Sequence, residues 1–290
     1  MKFDNLYIRA AEAISITNSF GLQFTEDLLE ATDTEIKAPV YKEFIAPAKL
    51  RRMGNLLRMG NTAALSCLSG FEKKRLDGVI VGTSLGCLQD TQKFLKQIID
   101  QQEGTLSPTS FIQSTHNTLA GQLAVALDCK KYNQTISQRE NTLQNILIDA
   151  LLQFSQQKAA MLLVGTADEQ TDYSLKVCSS TDNGGRLTGQ GASFFLLSNT
   201  PEEANIAVKE LYTVSDTKQA KARFNQNYGE EGICIFQEEN EDLNYINYCG
   251  NYWTANAFGL WLAFRHLKEG KAPAALLELN QDSFLVLACE

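Results

Sequence analysis

The 290-residue chain is 44% hydrophobic and carries a formal net charge of −8, from 34 acidic and 26 basic residues. That length and composition can bury a sizeable core, and an acidic balance without a large Lys/Arg cluster excludes nucleic acid and anionic membrane surfaces as expected partners. Asp, Arg and Glu interrupt the apolar residues of the opening MKFDNLYIRAAEAISI, which is the pattern of neither a signal peptide nor a membrane helix, so a cytoplasmic protein is expected.

In chain order, Leu6 to Ile16 reads as a strand, a polar insert with Pro39 and Pro47 follows, and Met53 to Leu68 reads as a helix ended by Gly70. A strand at Val79 to Gly82, a helix at Asp90 to Gln101 and a segment from Phe111 to Leu127, helical in its later part, come next. Thr135, Ile136 and Ser137 lead as a strand into a turn at Gln138, Arg139 and Glu140. Leu143, Ile146, Leu147, Ala150, Leu151 and Phe154 recur at three- and four-residue steps, the period of an amphipathic helix. Met161 to Val164 then reads as a short buried strand closed by a turn at Gly165.

Beyond it, Ala192 to Leu197 and Ile206 to Val214 are β-rich runs around the turn signal Asn199-Thr200-Pro201 and are expected to pair. Ser215 to Asn244 is polar apart from one short strand at Ile233 to Phe236. Tyr252 to Leu267 reads as a helix, and Ala274 to Leu279 with Ser283 to Ala288 as a closing hairpin. Strands alternating with helices predict a layered α/β fold. No low-complexity tract divides the chain, so one compact unit over residues 1–290 is expected.

Seven cysteines (Cys67, Cys87, Cys129, Cys178, Cys234, Cys249, Cys289), an odd number without a C-x-x-C spacing, point to reduced thiols and to no metal site. Gly82 to Gly86 lacks the lysine of a phosphate-binding loop and Gly185 to Gly191 lacks the dinucleotide spacing, so both read as tight turns and no cofactor is expected. Asp168 and Glu169 read as a solvated helix or loop start after Gly165. Of the two histidines, His266 lies late in a helix, where it meets terminal carbonyls and the dipole, and His116 sits in the loop QSTHNT with a structural role, or lining a pocket or interface. Cys87, Cys129 and Ser137 are candidate replacement nucleophiles without an assignable activating base.

The strand, turn, helix and strand of Asn133 to Asp168 resemble the nucleophile-bearing unit of the β-ketoacyl synthases in the thiolase-like superfamily. DGVIVGTSLG (Asp77 to Gly86) is similar to the strand and glycine loop before that family's first long helix, and Leu106 to Leu123 to its proline-led loop and the helix behind it. GRLTGQGASFFLL (Gly185 to Leu197) is similar to its G-x-x-x-G-x-G-A segment, with Gly185, Gly189, Gly191 and Ala192 in place. The resemblance implies the thiolase-like form: two related βα halves whose sheets sandwich central helices, here 1–170 and a shortened second half, 171–290.

In that family the turn carries a cysteine whose thiolate is stabilised by the helix N-terminus. A gap-free count back from Gly165 places Glu140 at this position. Cys249 to Ala257 matches the segment of the family's second histidine, with Asn251 in its place, and asparagine donates a hydrogen bond but does not titrate. The segment of the first histidine is deleted, and Asp282 to Leu287 runs on as a strand where the family has a gating loop.

The resemblance therefore implies a short, degenerate member without a catalytic residue, similar to chain-length factors. Its implied partner is a ketosynthase-type subunit, or a second copy of itself, met across Asn133, Thr135 and Ser137 with Leu106 to Leu119 alongside. An acidic acyl carrier protein is a further candidate partner, and Lys49, Arg51, Arg52 and Arg58 form the best basic patch for it, with surface solvation as the alternative reading. Two other functions stay open: an active acyltransferase or condensing enzyme using an unrecognised nucleophile or partner-supplied groups, and a homodimeric acyl-binding scaffold.

Overall fold

Ten strands and ten α-helices build the computed structural model, which describes residues 1–101, 104, 106–181, 189–201, 206–237 and 243–290. β1 (Tyr7–Ile14) leads through α1 (Pro47–Leu50) and α2 (Asn55–Cys67) to β2 (Gly78–Gly82). α3 (Leu88–Asp100), α4 (Pro108–Gln113) and α5 (Thr118–Leu127) precede β3 (Tyr132–Ile136), and α6 (Thr142–Ser155), β4 (Met161–Asp168), α7 (Asp172–Thr181) and β5 (Gly191–Ser198) follow it. The later part holds β6 (Ile206–Thr213), α8 (Thr217–Tyr228), β7 (Ile233–Phe236), β8 (Leu243–Asn244), α9 (Ile246–Cys249), α10 (Asn256–Lys268), β9 (Ala274–Asn280) and β10 (Ser283–Cys289).

The strands lie side by side as β3-β2-β4-β5-β1-β6-β10-β9-β7-β8. Numbered from its own first strand, each run of five has the same order, 3-2-4-5-1 followed by its mirror 1-5-4-2-3, so the chain contains one βα unit twice. The two runs join through β1 and β6, where Tyr7 and Ile8 pair with Ala207 and Ile206. Beyond that seam the sheets part, and their facing sides enclose α6 and α10.

Burial follows the two-residue period of the strands. Leu162 and Val164 of β4 point to the inner cluster that holds α6 and α10, while Met161 and Leu163 point to α2 and α5 on the outer side. On β9, Ala275 and Leu277 face inward and Ala274 and Leu276 pack with Ala220 and Phe224 of α8. Strands covered on both faces are apolar at successive positions rather than alternate ones. α10 is buried on nearly all sides because it packs on β9 of one sheet and on β5 and β1 of the other. The result is the layered arrangement expected: outer helices, sheet, central helices, sheet, outer helix.

Four sequence expectations are corrected. Gly165 is no turn: β4 runs through it to Asp168, and a Cβ there would lie 2.4 Å from the Phe194 ring, so the glycine lets β5 approach. β5 and β6 do not pair, because β1 lies between them. The polar stretch after Val214 contains α8, whose buried residues are Ala220 and Phe224. β5 lies past residue 170 yet is hydrogen-bonded to β4 and β1, inside the first run of five. The second run is shorter: β2 and β3 are separated by three helices, whereas β7 ends at Phe236 and β8 begins at Leu243. Gly185 lies outside the described residues.

Candidate functional site

The turn joining β3 to α6 is shaped by Arg139, a non-glycine residue in the left-handed region at φ 50°. Arg139 to Asn141 form one tight helical turn, and the Gln138 amide donates to Thr142 Oγ1 at 2.9 Å. Glu140 is half-buried in this turn, and its Oε2 is sequestered from water without a hydrogen-bond partner among the described residues. Such a group carries an uncompensated desolvation cost.

The second half clamps the turn. Asn256, 2% exposed at the start of α10, donates from Nδ2 to the carbonyl oxygens of Glu140 and Leu279, each at 2.9 Å. Asn280 Nδ2 donates to Asn141 Oδ1 at 2.8 Å, and the Arg139 guanidinium lies 5.4 Å from the Trp253 ring centroid. Asn251 is half-buried just beyond Gly250, whose φ is 73°. The loop at Gly189 closes against the same stretch, since a Cβ at Gly189 would come within 2.4 Å of the Cys249 carbonyl oxygen.

Asp168 and Glu169, expected to be solvated, are buried acceptors instead. Asp168 ends β4 and accepts from Thr83 Oγ1 at 2.9 Å, the Ser84 amide at 2.8 Å and Thr254 Oγ1 at 2.8 Å. It thereby joins the glycine loop of the first half to the entry of α10. Glu169 accepts from the Gln89 amide at 2.9 Å and the Leu56 amide at 3.3 Å, so one carboxylate caps the N-termini of α3 and α2. Neither helix has a side-chain cap of its own. Burial, opposed by these hydrogen bonds, pushes the Glu169 carboxyl up to about 7, and nearby Asp90 and Asp168 add to the rise. Burial also raises Asp168 and Asp90.

The remaining sequence candidates fall around this frame. Ser137 is exposed and donates to the Ser84 carbonyl oxygen at 2.8 Å. His116 is exposed and packs on Gly86, itself at φ 65°. Asn133, on β3, donates to the Ala120 carbonyl oxygen at 3.0 Å, and Thr135 Oγ1 is buried without a partner among the described residues. β3 is the outermost strand of the first sheet, bonded only to β2. Cys87 is buried, and desolvation with Glu169 and Asp90 nearby pushes its thiol well above the ordinary range, away from a thiolate. His266 does sit in the last turn of α10, but burial and Lys271 lower its pKa, opposite to the charged role expected from the dipole.

Contacts thus link His116 through Gly86 to the glycine loop, that loop to Ser137 and Asp168, Asp168 to Thr254, and Asn256 to Glu140. Thr254, Asn256, Asp168 and Glu169 were not legible as members of this site. The available signal was a mostly apolar strand running into two consecutive acids, a place where buried carboxylates meet helix N-termini. Chemically, Glu140 supplies a carboxylate in the turn and Asn251 an amide beyond Gly250. Among the described residues no group of three His, Cys, Asp or Glu side chains is placed to hold a metal ion.

Residues 28–248 match the model of the β-ketoacyl synthase N-terminal domain family. No curated protein sequence matches the chain. Among solved structures, the ishigamide ketosynthase/chain length factor is similar at a TM-score of 0.76 and 15% identity, covering 98% of this chain and 99% of that one. A ketosynthase (ApeO) in complex with its chain length factor (ApeC) from Xenorhabdus doucetiae is similar at 0.60 and 15% identity, with 98% and 99% covered. A type II acyl carrier protein in complex with its ketosynthase bound to the hexaketide is similar at 0.74 and 14% identity, with both chains covered at 100%.

Proposed function

The chain belongs to the β-ketoacyl synthase family, and from that premise we propose that it is a noncatalytic, chain-length-factor-like subunit serving fatty-acid- or polyketide-type chain assembly. The observation that carries this reading is Glu140 at the mouth of α6. A condensing reaction needs a thiolate there to hold the acyl chain, and a carboxylate forms no thioester and repels a developing enolate. Asn251 adds to it, since its amide cannot exchange a proton.

Asn256 and Asn280 tie the second half onto the turn, and Asp168 joins the glycine loop to the entry of α10. The free edge of β3 supports pairing with a ketosynthase-type subunit, or with a second copy, through Asn133, Thr135 and Ser137. Lys49, Arg51 and Arg52 remain exposed for an acidic carrier protein, whereas Arg58 is half-buried and donates to the Leu50 carbonyl oxygen at 3.2 Å. The test is affinity capture from the native host under conditions that preserve weak complexes. Recovery of a cysteine-bearing ketosynthase supports the reading, and capture of no ketosynthase counts against it.

A further inference from the structure

A cavity of about 550 Å³ lies at the seam of the two sheets, between the segment before β1, β6 and the end of α8. Its volume is that of a small-molecule site, but polar and charged side chains dominate its lining. Two irregularities of the backbone open it. The Phe3 amide donates to the Lys209 carbonyl oxygen at 2.8 Å and the Val208 amide to the Leu6 carbonyl oxygen at 2.9 Å; between these bonds Asp4 and Asn5 bow outward, with Asn5 in the left-handed region at φ 63°. On the other edge of β6 the register with β10 passes from Glu210 directly to Val208, which leaves Lys209 as an extra residue. Bulges of this kind re-aim side chains and concentrate near binding sites, and a non-glycine residue held at positive φ is backbone strain that recurs at ligand sites.

The charges around the cavity fall into two groups. Glu210, 6% exposed, accepts from Arg223 Nη2 at 2.7 Å, and Lys209 pairs with Glu290, which also accepts from the Tyr7 hydroxyl. These two acids and two bases satisfy one another. Lys2 and Asp4 line the same cavity, both exposed, and neither has an ion-pair partner among the described residues. One uncommitted charge of each sign therefore sits on a single short segment, beside the half-buried ring of Tyr228. A ligand of one charge leaves the other side chain unmatched, whereas a carboxylate and an ammonium on one carbon answer both.

We propose that this cavity binds a free α-amino acid with an aromatic side chain, its carboxylate at Lys2, its ammonium at Asp4 and its ring against Tyr228. No residue used here belongs to the Glu140 turn, the β3 edge or the basic patch before α2, so the site stands or falls apart from the proposed function.

The test is isothermal titration of the full chain with L-phenylalanine, against 3-phenylpropionate, which lacks the ammonium, and 2-phenylethylamine, which lacks the carboxylate. Saturable one-to-one binding of L-phenylalanine is expected, with each single-charge analogue at least about tenfold weaker. Lys2→Glu and Asp4→Lys should each weaken L-phenylalanine binding at least about tenfold, with thermal unfolding unchanged because both side chains are exposed. If a charge reversal unfolds the chain, Lys2→Ala and Asp4→Asn take its place with the same loss expected. Equal binding of 3-phenylpropionate would make the cavity an anion site and equal binding of 2-phenylethylamine a cation site, and either would overturn the proposal. So would the absence of saturable L-phenylalanine binding, or undiminished binding in both variants.

Discussion

Two acidic stations lie beside each other in the first half, and they differ in how their oxygens are satisfied. At the end of β4 all four carboxylate oxygens of Asp168 and Glu169 accept hydrogen bonds, from Thr83, Ser84, Thr254, Leu56 and Gln89. At the start of α6, Glu140 keeps a buried oxygen with no partner among the described residues. The first station is architecture: charges buried where helix ends and hydroxyls compensate them. At the second, one side-chain oxygen has no such compensation, while the backbone is held by Asn256.

The contrast has measurable consequences. Asp168→Ala should be the most damaging change, because it strands three donors and unfastens the glycine loop from α10; urea unfolding should show a loss of about 4 kcal/mol. A loss under about 1 kcal/mol would mean that the network is dispensable.

Glu169 has a pH signature. Its carboxyl is raised to about 7 from an ordinary 4.5, so between those values the native protein holds a proton that the unfolded chain has released. Stability therefore declines as pH rises from about 4.5 to about 7 and levels off above that, by at most about 3 kcal/mol from this group. Raised Asp90 and Asp168 act with the same sign. Glu169→Gln should flatten this decline in chemical denaturation series, and an unaltered slope would remove Glu169 as its source.

Asn256→Ala leaves the carbonyl oxygens of Glu140 and Leu279 without their donor, and a loss of about 2 kcal/mol is expected in the same assay. Glu140→Leu is the smallest change and runs the other way, raising stability by about 1 kcal/mol or less as the partnerless Oε2 is removed. A clear destabilisation by Glu140→Leu would show that the acid makes a bond of its own and would erase the difference between the stations.

How much of this was legible in the sequence depends on the distance over which each feature is determined. The helical period from Leu143 to Phe154 and the closing hairpin are local patterns, and both stand where expected. Gly165, the mark from which Glu140 was counted, lies inside β4 instead of at a turn. The burial of Asp168 and Glu169 was not legible, because their partners are 80 to 113 residues away and only the folded sheet assembles them. Nor was the separation of β5 from β6: a turn signal between two β-rich runs suggests a hairpin, and nothing local announces that β1 enters between them.

The decisive measurement is intact-mass spectrometry of the purified protein after incubation with an acyl thioester of an acyl carrier protein. A noncatalytic subunit keeps its mass unchanged while an active ketosynthase in the same mixture gains the acyl group. An acyl adduct on this chain, at Ser137, Cys87, Cys129 or any other residue, would make it an enzyme and contradict the role assigned to Glu140.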